Sequence, residues 1–240
     1  MAKYLIYGGN GGIGNAVAKS LAQDGHALHL VGRNADELAR AAGELGASHT
    51  VADITDADQI AHAAAEAGDD LAGLVYAVGT INLKPIGKLT HDDFLTDFRV
   101  NAAGAALAIK ASLDALKAGQ GGSVLLFSTV AVQQGFAAHA SVAMAKGAVE
   151  GLVRALGAEL APKVRVNAIA PSLTETPLAG PMLASDQMKK AISSMHAIPR
   201  IGAPDDMAAL ARVLLTDAGS WITGQVIGVD GGRSTLRTKG

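Results

Sequence analysis

An α/β fold, with a parallel sheet layered between helices, is what this sequence predicts, and three observations predict it. Short apolar runs alternate with helical periodicity from end to end, the rhythm of βαβ units whose crossovers place helices on both sheet faces. Of the 240 residues, 49% are hydrophobic yet only 3% aromatic, a composition suited to an Ala, Val, Leu and Ile core between helices and a parallel sheet. No linker interrupts the alternation, so residues 1–240 read as one doubly wound domain with seven strands.

The elements follow in order. Strand one is expected over Lys3 to Tyr7, and a glycine turn hands it to a helix reaching about Asp24. Strand two, Ala27 to Val31, ends at Gly32-Arg33-Asn34, and a helix fills Ala35 to Leu45. A short strand near His49 to Val51 leads through Asp53 to a helix ending about Gly68. Leu71 to Val78 is apolar on both faces and so should be a central strand. Two helices are expected between Thr90 and Lys117, with Asn101 between or inside them and His91 at a helix start. Ser123 to Ser128 is strand five, and the helix after it runs to about Ala161. Val164 to Ile169 is strand six, followed by a loop-rich insert over about residues 171–204 that reads as a lid. A helix from Asp205 to Leu215 and a strand from Gln225 to Val229 close the fold.

Twenty basic against 22 acidic residues give a formal net charge of -2, and no basic block tracks a nucleic acid backbone or an anionic membrane. The N-terminal apolar run, Tyr4 to Tyr7, stops at glycines and is too short for a leader or a membrane span. Without cysteine there is neither a disulfide framework nor a thiolate metal site, and the histidines show no metal-ligand spacing. A cytoplasmic chain acting on a small molecule is the expectation.

The turn Gly8-Gly9-Asn10-Gly11-Gly12-Ile13-Gly14 lies at the first strand-to-helix junction, where Gly8, Gly12 and Gly14 let a pyrophosphate approach the backbone and the helix N-terminus. Asn10 and Ile13 are assigned to the cofactor with it. The Gly-x-x-x-Gly-x-Gly spacing resembles that of the short-chain dehydrogenase/reductase family. The resemblance extends through Asp53, Asn101-Ala102-Ala103-Gly104, Ser128-Thr129, Lys146, Arg165 to Pro171, and Ile222 to Gly232. It implies a Rossmann-type nicotinamide-binding domain, usually a homotetramer, with Asp53 and Ile54 at the adenine and Gly79 on the path to the nicotinamide. Thr174 and Thr176 would meet the nicotinamide amide and the pyrophosphate. Gly32-Arg33 at the end of strand two puts no carboxylate against a 2'-phosphate and offers a planar fork to bind it, which favours NADP(H) over NAD(H).

The reacting centre departs from the family pattern. A tyrosine four residues before the lysine normally gives the proton at the substrate oxygen, and here that position is Val142. Asn101, a hydroxyl at Thr129 and Lys146 are kept. His139 stands seven before Lys146, and seven residues at about 100° each return to within roughly 20° of one helix face. That spacing is similar to the one used by enoyl-acyl carrier protein reductases. Near a helix N-terminus and Lys146, His139 should favour its neutral form and serve as an N–H donor. Thr129 or water are the other proton sources, and Tyr76, at a strand end, is a further phenol. His196, Met182, Met188 and Met195 read as an apolar substrate wall. Two functions stay open: hydride transfer to a small or medium carbonyl, imine or activated alkene with an atypical donor, or nucleotide binding without turnover, as a sensor or partner subunit.

Overall fold

The computed structural model describes residues 1–119 and 121–237. Seven strands form one parallel sheet in the order β3-β2-β1-β4-β5-β6-β7. They are β1 (Lys3–Tyr7), β2 (Ala27–Gly32), β3 (Ser48–Val51), β4 (Gly73–Tyr76), β5 (Gly122–Phe127), β6 (Val164–Pro171) and β7 (Val226–Val229). Strand β4 is central, as its two apolar faces require, but spans only Gly73–Tyr76; ahead of it the Leu71 N–H donates to the Ala115 carbonyl rather than to a neighbouring strand.

Alternation along each strand sorts side chains to two cores, since successive residues point to opposite sheet faces. Leu5, Tyr7, Leu74, Tyr76, Val124 and Leu126 face helices α3 (Ala57–Ala67), α5 (Gly104–Ala111) and α8 (Ala140–Leu160). Tyr4, Ile6, Leu30, Val75, Leu125 and Phe127 face α1 (Gly12–Gln23), α2 (Ala35–Leu45) and α10 (Pro204–Leu215). The C-terminal motifs prove to be mortar. Arg165 donates to the carbonyls of Leu214, Thr216, Gly219 and Ile222, while Asn167 donates to the Ile222 carbonyl and accepts from the Gln225 N–H. Both pin the turn that feeds β7.

Two regions differ from expectation. Between Thr90 and Lys117 there are three helices, α4 (His91–Phe98), α5 and α6 (Leu113–Ala118), with a π turn over Arg99–Ala103 joining the first two. Thr90 and Asp93 close a capping box that starts α4 at His91. A short helix α7 (Val130–Gln134) follows β5 and was not expected; the Thr129 side chain caps it by accepting the Ala131 N–H. The lid segment holds a 3-10 stretch (Pro177–Leu183) and α9 (Asp186–Ser193). No helix among the described residues is long and apolar enough to cross a membrane.

Candidate active site

The chain runs outward from β1 to β3 and then returns to β4 on the other side of β1, creating the crevice where open α/β sheets bind ligands. Gly8 stands at this crevice with φ 79°, a left-handed conformation that suits glycine, and a Cβ there would lie 2.9 Å from the Ala77 carbonyl. A Cβ on Gly14 would collide with the Gly8 carbonyl, and one on Gly12 would sit 2.6 Å from Thr176 Cγ2. The turn is thus closed on itself and on the lid. The first intrahelical bond of α1 runs from the Asn15 N–H to the Gly11 carbonyl at 2.8 Å, so the N–H groups of Gly12, Ile13 and Gly14 precede it. No side chain caps this end and its first turn holds no acidic residue. An uncapped helix N-terminus beside Thr176 has the donor set and the close backbone approach that a pyrophosphate needs, so the residues present fit a dinucleotide.

Around Asp53 and Arg33 the sequence expectations are refined. Asp53 is anchored by Thr55, whose N–H and hydroxyl donate to its Oδ1 at 2.9 and 2.8 Å. Those bonds hold its carboxyl below the usual range, with a smaller contribution from the charge of Arg33. Ile54 is buried in the core with Tyr7 and Ile60, so its side chain is not free to touch an adenine and only its backbone can. Arg33 is exposed at the end of β2. A carboxylate stands close by after all: Glu37, in the first turn of α2, accepts from Asn10 Nδ2 at 3.3 Å. Asn10 is thereby tied to α2, and its Oδ1 fills the space a side chain at Gly32 would need.

Lys146 is buried, and its ammonium donates to the Phe127 carbonyl at 2.8 Å. Burial pulls its pKa down to about 8. Asn101 lies inside the π turn, where the irregular backbone turns its side chain inward. Its Nδ2 donates to Thr80 Oγ1 and the Asp97 carbonyl, both at 2.8 Å, and its Oδ1 accepts from the Thr80 N–H. Thr80 in turn donates to Asp97 Oδ1 at 2.5 Å, and Ser141 of α8 donates to Asp97 Oδ2 at 2.6 Å. Thr80, Asp97 and Ser141 were not singled out from the sequence. They lock the π turn to α8 and hence Asn101 to Lys146. A Cβ at Gly79 would be 2.9 Å from Asn101 Oδ1 and 3.3 Å from Lys146 Nζ, so a side chain at this position would crowd both groups.

One cavity of about 490 Å³ joins the cradle to this centre, touching Ile13 and Thr176 at one end and Thr129, His139, Val142 and Lys146 at the other. Thr129 lends a lone pair to the Ala131 N–H at 3.3 Å, leaving its hydroxyl hydrogen unspent. Ser128 turns away and donates to the buried Glu150 at 2.8 Å. His139 is the residue before α8 and reaches the cavity, but its Nδ1 lies 2.8 Å from the Ala137 carbonyl. A carbonyl requires that Nδ1 carry the hydrogen, so the neutral ring presents only a lone pair at Nε2. The expected neutral N–H donor toward the substrate is therefore corrected: His139 can give a proton only when doubly protonated. Tyr76 is not in the cavity. Its hydroxyl donates to the Val100 carbonyl at 2.7 Å and burial raises its pKa, so it serves the core. Met182, Met188 and Met195 line the cavity, whereas His196 does not. It is buried, held by the Ile192 carbonyl at its Nδ1, and accepts the Ser172 hydroxyl at its Nε2, 2.8 Å away. Arg233, from the segment after β7, is a cavity residue that nothing in the linear sequence signalled.

Known proteins share this fold over nearly the whole chain. The family described as Enoyl-(Acyl carrier protein) reductase matches residues 8–234. A galactitol 2-dehydrogenase (L-tagatose-forming) of Cereibacter sphaeroides is 34% identical over 242 residues, covering 95% of this chain and 92% of the relative. A tropinone reductase homolog of Arabidopsis thaliana is 32% identical, covering 95% of this chain and 78% of its own length. The solved structure of a short-chain type dehydrogenase/reductase from Mycobacterium ulcerans superposes with a TM-score of 0.93 at 32% identity, over 98% of this chain and 90% of that one.

Proposed function

The chain belongs to the short-chain dehydrogenase/reductase family, and from that premise we propose that it is an NADP(H)-dependent oxidoreductase whose proton donor is not the usual tyrosine. The observation that carries this reading is the cavity that runs from Ile13 and Thr176, beside the glycine turn, to Thr129, His139 and Lys146. When bound, the nicotinamide supplies or accepts the hydride. The chain's own residues do the rest. Gly8, Gly12, Ile13 and Gly14 hold the phosphates with Thr176, and Thr174 stands with Ile13 and Thr176 on the cavity wall. Asp53 and the backbone of Ile54 flank the adenine, and Arg33 binds the 2'-phosphate. Lys146 spends one ammonium hydrogen on Phe127 and has two left for the ribose hydroxyls and for charge on the substrate oxygen. Asn101 positions Thr80 and the π turn. Thr129 donates its free hydroxyl hydrogen to the substrate oxygen and His139, as an imidazolium, supplies the proton. Carbonyls, imines and activated alkenes are the substrate class, the last two accepting their proton from water when needed. Residues 171–204 act as the lid, and the whole chain as one domain. Exposed Leu95, Phe98, Leu107 and Met144 on α4, α5 and α8 support a homo-oligomer, a tetramer or dimer.

Two observations favour narrower alternatives. Glu37 beside the turn supports NAD(H) instead, because its carboxylate would repel a 2'-phosphate. Val142, buried where the acid normally stands, supports nucleotide binding without turnover, as a sensor or partner subunit. Fluorescence titration with NADPH and NADH, followed by a ketone, imine and enone panel on the wild type and His139→Ala, separates them. Turnover that falls in His139→Ala is expected; NADPH binding with no turnover on any class would leave the sensor reading.

A further inference from the structure

The cavity holds one cation more than hydride transfer needs. Its walls carry Lys146 and Arg233 but no aspartate or glutamate. Lys146 is occupied by Phe127 and, in the reading above, by the cofactor ribose. Arg233 has no such employment. Its guanidinium lies over the ring of Phe136, 4.6 Å from the centroid. Its bonds are long and weak: Nη1 to Ser172 Oγ at 3.4 Å and Nη2 to Met195 sulfur at 3.5 Å. No carboxylate among the described residues comes within 4.0 Å of it. Asp230, three residues away, spends its two oxygens on the N–H groups of Gly232 and Ser234 at 2.8 and 2.9 Å.

Its surroundings hold it in place for a ligand. Phe136 stacks on one side and is also in edge contact with His139, with centroids 5.3 Å apart, so the guanidinium and the proposed proton donor flank the same ring. Ser172 is oriented by the buried His196, which fixes its hydroxyl hydrogen and turns its lone pairs toward Arg233. Around them the wall is apolar: Leu178, Met182, Met188, Ile192 and Met195. A part-buried guanidinium with unspent donors in an apolar chamber matches a planar, monovalent anion on an otherwise apolar molecule.

We propose that Arg233 is the anchor for a carboxylate on the substrate, so that the site takes apolar oxo acids or unsaturated oxo acids with the carboxylate at Arg233 and the carbonyl at Thr129 and His139. The anchor rests on the oxidoreductase reading for the fate of the carbonyl, but the anion subsite is tested without turnover.

The experiment is isothermal titration of octanoate and of octan-1-ol, below micellar concentrations, into the wild type, Arg233→Gln and Arg233→Lys, with and without saturating NADPH. Octanoate should bind the wild type about tenfold or more tightly than octan-1-ol, and Arg233→Gln should erase that preference while binding octan-1-ol as before. Arg233→Lys, which keeps the charge without the fork, should fall between. Equal octanoate affinity in the wild type and Arg233→Gln, or no preference for octanoate over octan-1-ol in the wild type, would overturn the anchor. Should Arg233→Gln fail to fold, Arg233→Lys decides by the same comparison. NADPH binding with no octanoate preference would remove the anchor and leave the oxidoreductase; octanoate preference with no NADPH binding would do the reverse.

Discussion

Replacing Lys146 by methionine should stabilise the nucleotide-free protein while removing its function. The lysine is buried and its pKa is pulled from 10.5 to about 8; at about 1.4 kcal/mol per unit, holding the charge in the fold costs about 3 kcal/mol at neutral pH. The bond to Phe127 returns about 1 kcal/mol of that, so the variant should gain about 2 kcal/mol, or roughly 4 to 8 °C in melting temperature for a chain of this size. The pH dependence gives the sign check. The unfolded lysine keeps its proton up to 10.5 while the folded one sheds it near 8, so between those values the unfolded state binds more protons and wild-type stability rises with pH. The Lys146→Met variant lacks that rise, and its advantage should shrink between pH 7 and pH 10. Thermal melts of both proteins at the two pH values, without nucleotide, are the assay. A variant that melts at or below the wild type at pH 7, or an advantage equally large at pH 10, would refute the reasoning.

Arg33→Asp should weaken NADPH by about tenfold or more, the worth of a charge-assisted pair, while leaving NADH nearly unchanged; equal weakening of both would show that Arg33 does not meet a 2'-phosphate and would leave Glu37 to define an NAD(H) site. Gly14→Val forces the turn open against the Gly8 carbonyl and should lower nucleotide affinity by about tenfold or more with the helical circular dichroism retained; wild-type affinity in that variant would mean the α1 N-terminus does not hold the phosphates. Val142→Tyr should raise ketone turnover by about a hundredfold, the usual contribution of a positioned general acid, with little change in NADPH affinity. Unchanged ketone turnover with intact NADPH binding would show that Val142 does not occupy a vacated acid position.

The central place of β4 was legible in the sequence because burial on both faces leaves no polar side, and its short observed length was not, since only the ladder partners decide where a strand stops. The glycine turn was equally legible from its place between a strand and a helix, but only Gly14 is demanded by a local contact, with the Gly8 carbonyl; Gly8 is demanded by Ala77 and Gly12 by Thr176, neither of them close in the chain. Asn101 could be placed near a helix irregularity, but the π turn itself depends on Thr80, Asp97 and Ser141, drawn from three separate segments. Helical spacing put His139 on the stripe of Lys146, yet one carbonyl, Ala137, reversed what its neutral ring can do.

What the sequence by itself determined is therefore the sheet with helices on both faces, which follows from periodicity, and the glycine turn, which follows from its place at the first strand-to-helix junction, while the expectation of a tyrosine at Val142 came from the family resemblance. Only the tertiary structure decided that Ile54 and Tyr76 belong to the core, that Glu37 stands at the turn, and that Arg233 enters the cavity. Those facts rest on side chains brought together across dozens of residues, where burial and hydrogen-bond partners, rather than spacing, settle what each group can do.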